Sequence, residues 1–198
     1  MELAVTERRK GGRPRKGEPV IDRKKIVQTA WAIVDEHGLA GLSTRTLAAA
    51  LEVKSPAIYW HIGSKEELFS LMIEDLLQDS ISDCDGPDWQ EWFIKVGQRQ
   101  RQLLLSHRDA SIIASIAPPT ERIRNELFPR LFKPLVDGGM DLAEASAAAG
   151  GLASLVLGWV IYEQRPATHA MMEAYHDPDS AFDSALTAFV SGLAQRLE

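Results

Sequence analysis

A single cysteine, Cys84, stands among 198 residues, so an intrachain disulfide is impossible and no thiolate cluster can hold zinc. No unbroken apolar run reaches the roughly 18 residues a bilayer-spanning helix needs. The N-terminus is polar and basic where a secretory leader would be apolar, so a cytoplasmic protein with no membrane partner is expected. Phosphate loops, dinucleotide fingerprints and zincin helices are missing. Ser106-His107-Arg108-Asp109 holds the letters of a catalytic triad, but sequence neighbours do not converge in space as a triad must. His169, His176 and Asp177 read as surface or helix-end residues, and His107-Arg108 as a cap on a helix C-terminus. No enzyme, cofactor or metal site is expected.

Net positive charge is also missing: the chain carries −6. The charge is unevenly placed, however. Residues 1–65 hold 12 Lys and Arg against 7 Asp and Glu, whereas residues 66–198 hold 10 against 21. A basic head ahead of an acidic body is the asymmetry expected when one end approaches a phosphate backbone. Hydrophobic residues at 45% and charged residues at 25% place the chain among globular proteins rather than disordered ones.

Within the head, residues 43–67 read as two short helices about a tight turn, followed by a capped third. Thr44 and Arg45 open the first, and Leu47, Ala48 and Leu51 recur at helical spacing. Val53 marks the turn. Ser55-Pro56 reads as a helix start, with the serine hydroxyl accepting a free N–H and proline having none to leave unpaired. Ile58 points inward, and Tyr59, Trp60 and His61 crowd the other faces, as suits groups offered to a groove or a phosphate. Upstream, Asp22 caps a helix whose Ile26, Ala30, Ile33 and Val34 stripe ends at His37-Gly38; downstream, Ser64-Lys65-Glu66-Glu67 is a capping box. Before all of these, Arg8 through Gly17 contain no apolar residue and form an arm. Its Gly12-Arg13-Pro14-Arg15-Lys16 string resembles an AT-hook, whose arginines enter the minor groove of A·T-rich DNA. A solvated tail giving only non-specific phosphate attraction is the other reading.

The body reads as helices near 88–106, 108–116, 120–137, 141–164 and 179–197, with no strand. Pro129 and Pro134 predict a kink or split in the third of these. In 141–164, Ala145, Ala147, Ala148, Ala149, Gly150, Gly151, Ala153 and Gly158 are small on almost every face, and Leu155 through Ile161 are strongly apolar. Such a helix must be covered all round. With the stripe Phe182, Leu186, Phe189, Val190, Leu193 and Leu197, it predicts a four-helix homodimer seam at Leu155, Phe189 and Leu193; ordinary monomer core is the alternative. The expected fold class is all-α: a basic arm (1–21), a three-helix helix-turn-helix head (22–67), and a helical-bundle ligand-binding and dimerisation domain (68–198).

Pro56-Ala57-Ile58-Tyr59-Trp60-His61 followed by Lys65 resembles the helix-turn-helix of the TetR family of bacterial repressors. Trp89-Gln90, Leu104-Leu105-Ser106-His107-Arg108-Asp109, Pro119-Thr120-Glu121, and Leu157-Gly158 with Gln164 are similar to the regulatory domain of its tetracycline-responsive members. The resemblance implies a dimer whose recognition helices enter successive major grooves of a palindromic operator, with an effector pocket in each body. By position, Thr44 and Arg45 meet phosphate and base; Lys54, Ser55, Pro56 and Ala57 occupy recognition positions; Tyr59, Trp60, His61 and Lys65 brace against phosphates. Lys54, Ser55 and Ala57 depart from the tetracycline repressor, which implies another operator.

The effector positions depart further. Ile81, Ala114, Val96 and Gln100 stand where two histidines, an asparagine and a phenylalanine would hold the drug and its magnesium, and Tyr162, Glu163 and Arg165 where three acids would be. No response to magnesium-tetracycline is therefore expected. Ile81, Val96, Ile113, Ala114, Phe128, Trp159 and Tyr162, with Gln100 and Glu163 as polar anchors, suggest an apolar or aromatic small molecule; for each of these residues a plain core role is the competing reading. A constitutive architectural DNA binder without an effector is the rival function.

Overall fold

The computed structural model describes residues 22–82, 84, 86 and 88–197. In the head, Asp22 accepts a hydrogen bond from the Lys25 N–H at 2.7 Å and starts α1 (Arg23–His37). This helix buries Ile26, Val27, Ala30, Trp31, Ile33 and Val34 and stops at Gly38, whose φ of +71° suits a residue without Cβ. α2 (Thr44–Ala50) opens on a capping box that the pattern for Glu or Gln overlooks: Ser43 Oγ accepts from Thr46 N, and Thr46 Oγ1 accepts from Ser43 N. Glu52, at φ +56°, makes the turn. α3 (Ser55–His61) corrects one expectation. Lys54 is its N-cap with no side-chain hydrogen bond, and Ser55 is already helical, with Pro56 following it in the first turn. Ile58 anchors α3 in the core.

α4 (Lys65–Ser82) runs from head into body. Ser64 Oγ accepts from Glu67 N, but the Glu67 carboxylate returns to Gly63 N, one residue earlier than in a closed capping box. In the body, Asp88 caps α5 (Trp89–Leu105). α6 (Ala110–Ile116) begins two residues later than 108, because Asp109 sits in the left-handed region at φ +55°. The expected helix over 120–137 is divided into a π-helical turn at Ile123–Leu127 and α7 (Phe128–Asp137). Pro129, which has no N–H to give the preceding turn, lies at that junction.

Asp141 and Glu144 form a complete capping box on α8 (Leu142–Glu163). By length and mean hydropathy alone, α8 is long and apolar enough to cross a membrane, a property that a search for unbroken apolar runs passes over. Its Ala145, Ala149, Leu152, Val156 and Val160 are buried in a bundle with α5, α6, α7 and α10. α9 (Pro166–Glu173) adds a helix that the sequence pattern does not announce; Pro166 occupies its first turn. α10 (Pro178–Ala194) starts on an Asp177 cap and ends three residues short of 197. Gly97 lets α5 meet α8 and α10 closely: a Cβ there would lie 2.8 Å from Leu152 Cδ1.

Candidate nucleic-acid interface and effector cavity

The head presents one polar and aromatic face. Leu47, Ala48 and Ile58 are buried behind it, whereas Arg45, Lys54, Pro56 and His61 are exposed. Tyr59 and Trp60 are 53% and 72% exposed, a costly display for large rings unless they meet another surface. Tyr59 OH lies 3.3 Å from Thr44 Oγ1, fixing α3 against the start of α2. Ser55 and Ala57 are half-buried. Lys65 sits at the start of α4 with its ammonium 5.4 Å from the Phe69 ring centroid. Ten of the expected DNA-contacting residues thus lie on α2, α3, their turn and the first turn of α4. Arg13 and Arg15 lie outside the described residues.

The body holds a cavity of about 490 Å³, open to solvent on one side and lined by α4, α5, α6, the π-helical turn, α7 and α8. Ile73, Leu76 and Leu77 form one side; Ala149, Gly150 and Ala153 recess another; Phe128 and Phe132 stack at 5.6 Å between centroids. Among the described residues of the lining, only Gln100 and Ser146 have polar side chains. Of the nine expected contacts, Gln100, Ala114 and Phe128 face the cavity. The other six do not. Ile81, Val96 and Ile113 are buried core. Trp159 packs edge-on to Phe182 at 5.6 Å, and Tyr162 is exposed. Glu163 is held by Arg101 at 2.5 and 2.9 Å, together with Asp179, and these bonds push the Arg101 guanidinium pKa up. For the three on α8 the reason is their place along the helix: the cavity meets Ser146 to Leu157, whereas Trp159 and Glu163 beyond it turn to Phe182 and Arg101. The small residues Ala149, Gly150 and Ala153 were the available signal, since their missing volume is the cavity itself.

Among the described residues, no carboxylate, imidazole or thiol lines this space, and no three His, Cys, Asp or Glu come together to hold a metal ion. The cavity walls therefore do not fit a magnesium-bound ligand that needs protein donors.

The three residues of the expected dimer seam, Leu155, Phe189 and Leu193, are each partly buried within this chain. Phe189 covers Gly151, where a Cβ would come 2.8 Å from its ring. By contrast, a Cβ at Gly158 or Gly192 would meet nothing within 4 Å, and Ser154, Ala188 and Ser191 are exposed within a turn of them.

His107 and Arg108 both turn to α1, and the Arg108 guanidinium lies against Gly38 at the C-terminus of that helix. His107 Nδ1 lies 2.9 Å from Asp35 Oδ2, Arg108 N donates to Asp35 Oδ1, and Asp109 accepts from Leu39 N. Ser106 turns away to Leu103 O, so the triad letters never meet. On the other flank, Glu74 of α4 is 1% exposed and binds Arg23 at 2.7 Å and Arg122 at 3.0 Å. Sequence periodicity reports neither junction between head and body.

Residues 26–72 match the family model described as "Bacterial regulatory proteins, tetR family", and residues 84–175 match "Tetracyclin repressor-like, C-terminal domain". The chain is 29% identical over 196 residues to the tetracycline repressor protein class A of Escherichia coli, covering 86% of this chain and 89% of that one. A single-residue variant of TetR from Acinetobacter baumannii AYE in complex with minocycline superposes with a TM-score of 0.76 at 26% identity, covering 90% of this chain and 99% of its own. BioQ with its natural double-stranded DNA operator superposes at 0.69 and 28% identity, covering 88% and 98%.

Proposed function

The chain belongs to the TetR family of bacterial transcriptional regulators, and from that premise we propose that it is a homodimeric cytoplasmic repressor, released from a palindromic operator by an uncharged apolar or aromatic effector. The observation that carries the reading is the 490 Å³ apolar cavity beneath an exposed Tyr59–Trp60 head. Lys54, Ser55, Pro56 and Ala57 read bases; Thr44, Arg45, Tyr59, Trp60, His61 and Lys65 hold phosphates; Arg13 and Arg15 follow the adjacent minor groove. Gln100 and Ser146 orient the effector by hydrogen bonds, against the Phe128–Phe132 wall. The α8–α10 face around Gly158 and Gly192 meets the partner subunit.

The test begins with selection of duplexes from a random pool by the purified protein. A palindromic consensus is expected, as is its release by uncharged aromatic compounds and not by tetracycline with magnesium. Even coating of unrelated duplexes, insensitive to every such compound, would mark the protein as a constitutive architectural binder. Release by magnesium-tetracycline would refute the assignment of the cavity.

A further inference from the structure

One wall of the cavity is hydrogen-bonded to the head. Ile123, 4% exposed, lines the cavity and belongs to the π-helical turn. Its backbone N–H donates to Thr120 Oγ1 at 3.0 Å, and that hydroxyl donates to Glu74 Oε2 at 2.5 Å. The other carboxylate oxygen accepts from Arg23, in the first turn of α1, at 2.7 Å, and from Arg122 at 3.0 Å. Arg122 also reaches Gln78.

We propose that the run Ile123–Thr120–Glu74–Arg23 carries cavity occupancy to the DNA-reading head, an inference that rests on the effector-responsive function above. The physical reason is that a buried carboxylate strongly resists losing its donors, because an unpaired charge in a low-dielectric site is far costlier than a small displacement. Glu74 therefore follows Thr120, and Arg23 follows Glu74. A molecule seated against Ile123 and Phe128 displaces the π-helical turn, a feature that often marks functional sites within helices.

The far end of α1 supplies the pivot. Asp35 is held to His107 and to the Arg108 N–H, 12 residues beyond Arg23 and so about 18 Å along the helix. A shift of about 1 Å at Arg23 turns α1, and with it α2 and α3, by about 3° at that lever length. The relay thus pulls one end of α1 while the His107 contact holds the other.

The test uses the full-length protein, a duplex from the selection, and N-phenyl-1-naphthylamine as an uncharged aromatic fluorescent probe. Linkage requires the duplex to weaken probe binding by the factor by which the probe weakens duplex binding. For the wild type that factor is expected to fall within about 5- to 150-fold. Thr120→Val, which removes the hydroxyl and keeps the shape, is expected to bind probe alone and duplex alone within about twofold of wild type while the coupling factor falls below about twofold. Thr120→Ser is expected to restore it. Arg23→Gln, at the head end, is expected to lose coupling equally, and the double variant to lose no more than either single one.

A Thr120→Val protein that keeps the wild-type factor overturns the relay and leaves the proposed function standing; so does a double variant whose losses add. A wild type that binds both partners without mutual effect, or that fails to bind the probe, overturns the effector-responsive reading and the relay together.

Discussion

The His107 imidazole of the body stacks on the Trp31 indole of the head, 4.2 Å between ring centroids and 17° from parallel. Its Nδ1 meets Asp35, one helical turn further along the same face of α1. This contact docks a helix of the DNA-reading unit on the α5–α6 corner. His107→Ala is expected to lower stability by about 1–2 kcal/mol, from the removal of ring stacking and a hydrogen bond. Urea unfolding followed by tryptophan fluorescence measures this, and an unchanged midpoint would show that the docking contributes nothing.

Tyr59 and Lys54 are both exposed on the α3 side of the head but are expected to act differently. Tyr59→Ala should weaken binding to good and poor duplexes alike by a similar factor, as removal of a phosphate-binding group does. Lys54→Ala should change the rank order of duplexes, with discrimination at one base position falling by about 1–3 kcal/mol. Gel shifts across a panel of point-changed operators separate the two. Neutral results for both variants would move recognition away from α3.

Residues 1–17 carry six basic side chains between Arg8 and Lys16. Deleting residues 1–17 should flatten the dependence of log affinity on log salt by about 0.9 for each phosphate that the arm neutralises. An identical slope would exclude any pairing of the arm with phosphates.

Gly158 has open space beside it, although glycine inside a helix costs about 1 kcal/mol relative to alanine. Its use is therefore expected to lie in a second subunit. Gly158→Arg should yield monomers with unchanged helical circular dichroism. Gly151→Leu should unfold more readily, because Phe189 already occupies the space its side chain would need. A Gly158→Arg dimer in sedimentation equilibrium would displace the interface from this face.

Asp75 sits beside the Glu74 relay, and burial pushes its carboxyl pKa up, with Arg23 opposing that shift and Glu74 and Asp79 adding to it. A carboxyl raised on folding disfavours the folded state at pH values above its folded pKa, and the penalty vanishes below the unfolded value of about 3.9. Asp75→Asn should therefore raise the urea midpoint at pH 7, with the gain shrinking as pH falls through the folded pKa. A gain that is independent of pH would locate the effect elsewhere.

Most helix starts are legible because capping is local. Asp22, Ser64, Asp88 and Asp141 each satisfy an N–H three residues on, and such spacing is readable one turn at a time. Ser43 is harder to recognise because Thr46 replaces the usual Glu or Gln. The proposed effector site is less legible. Ile81 and Val96 stand where the tetracycline repressor would hold its drug, but both are buried core here, and Ile73, Leu77 and Phe132 line the cavity beside Gln100 and Ala114.

The sequence alone settled the all-α class, the helix-turn-helix and the uneven charge, because each depends on residues a few positions apart. Only the tertiary structure decided which side of α8 bounds the cavity, and that Glu74 and His107 join body to head. Those junctions link residues 51 to 73 positions apart, and whether two such side chains meet is set by how whole helices pack, which no local spacing encodes.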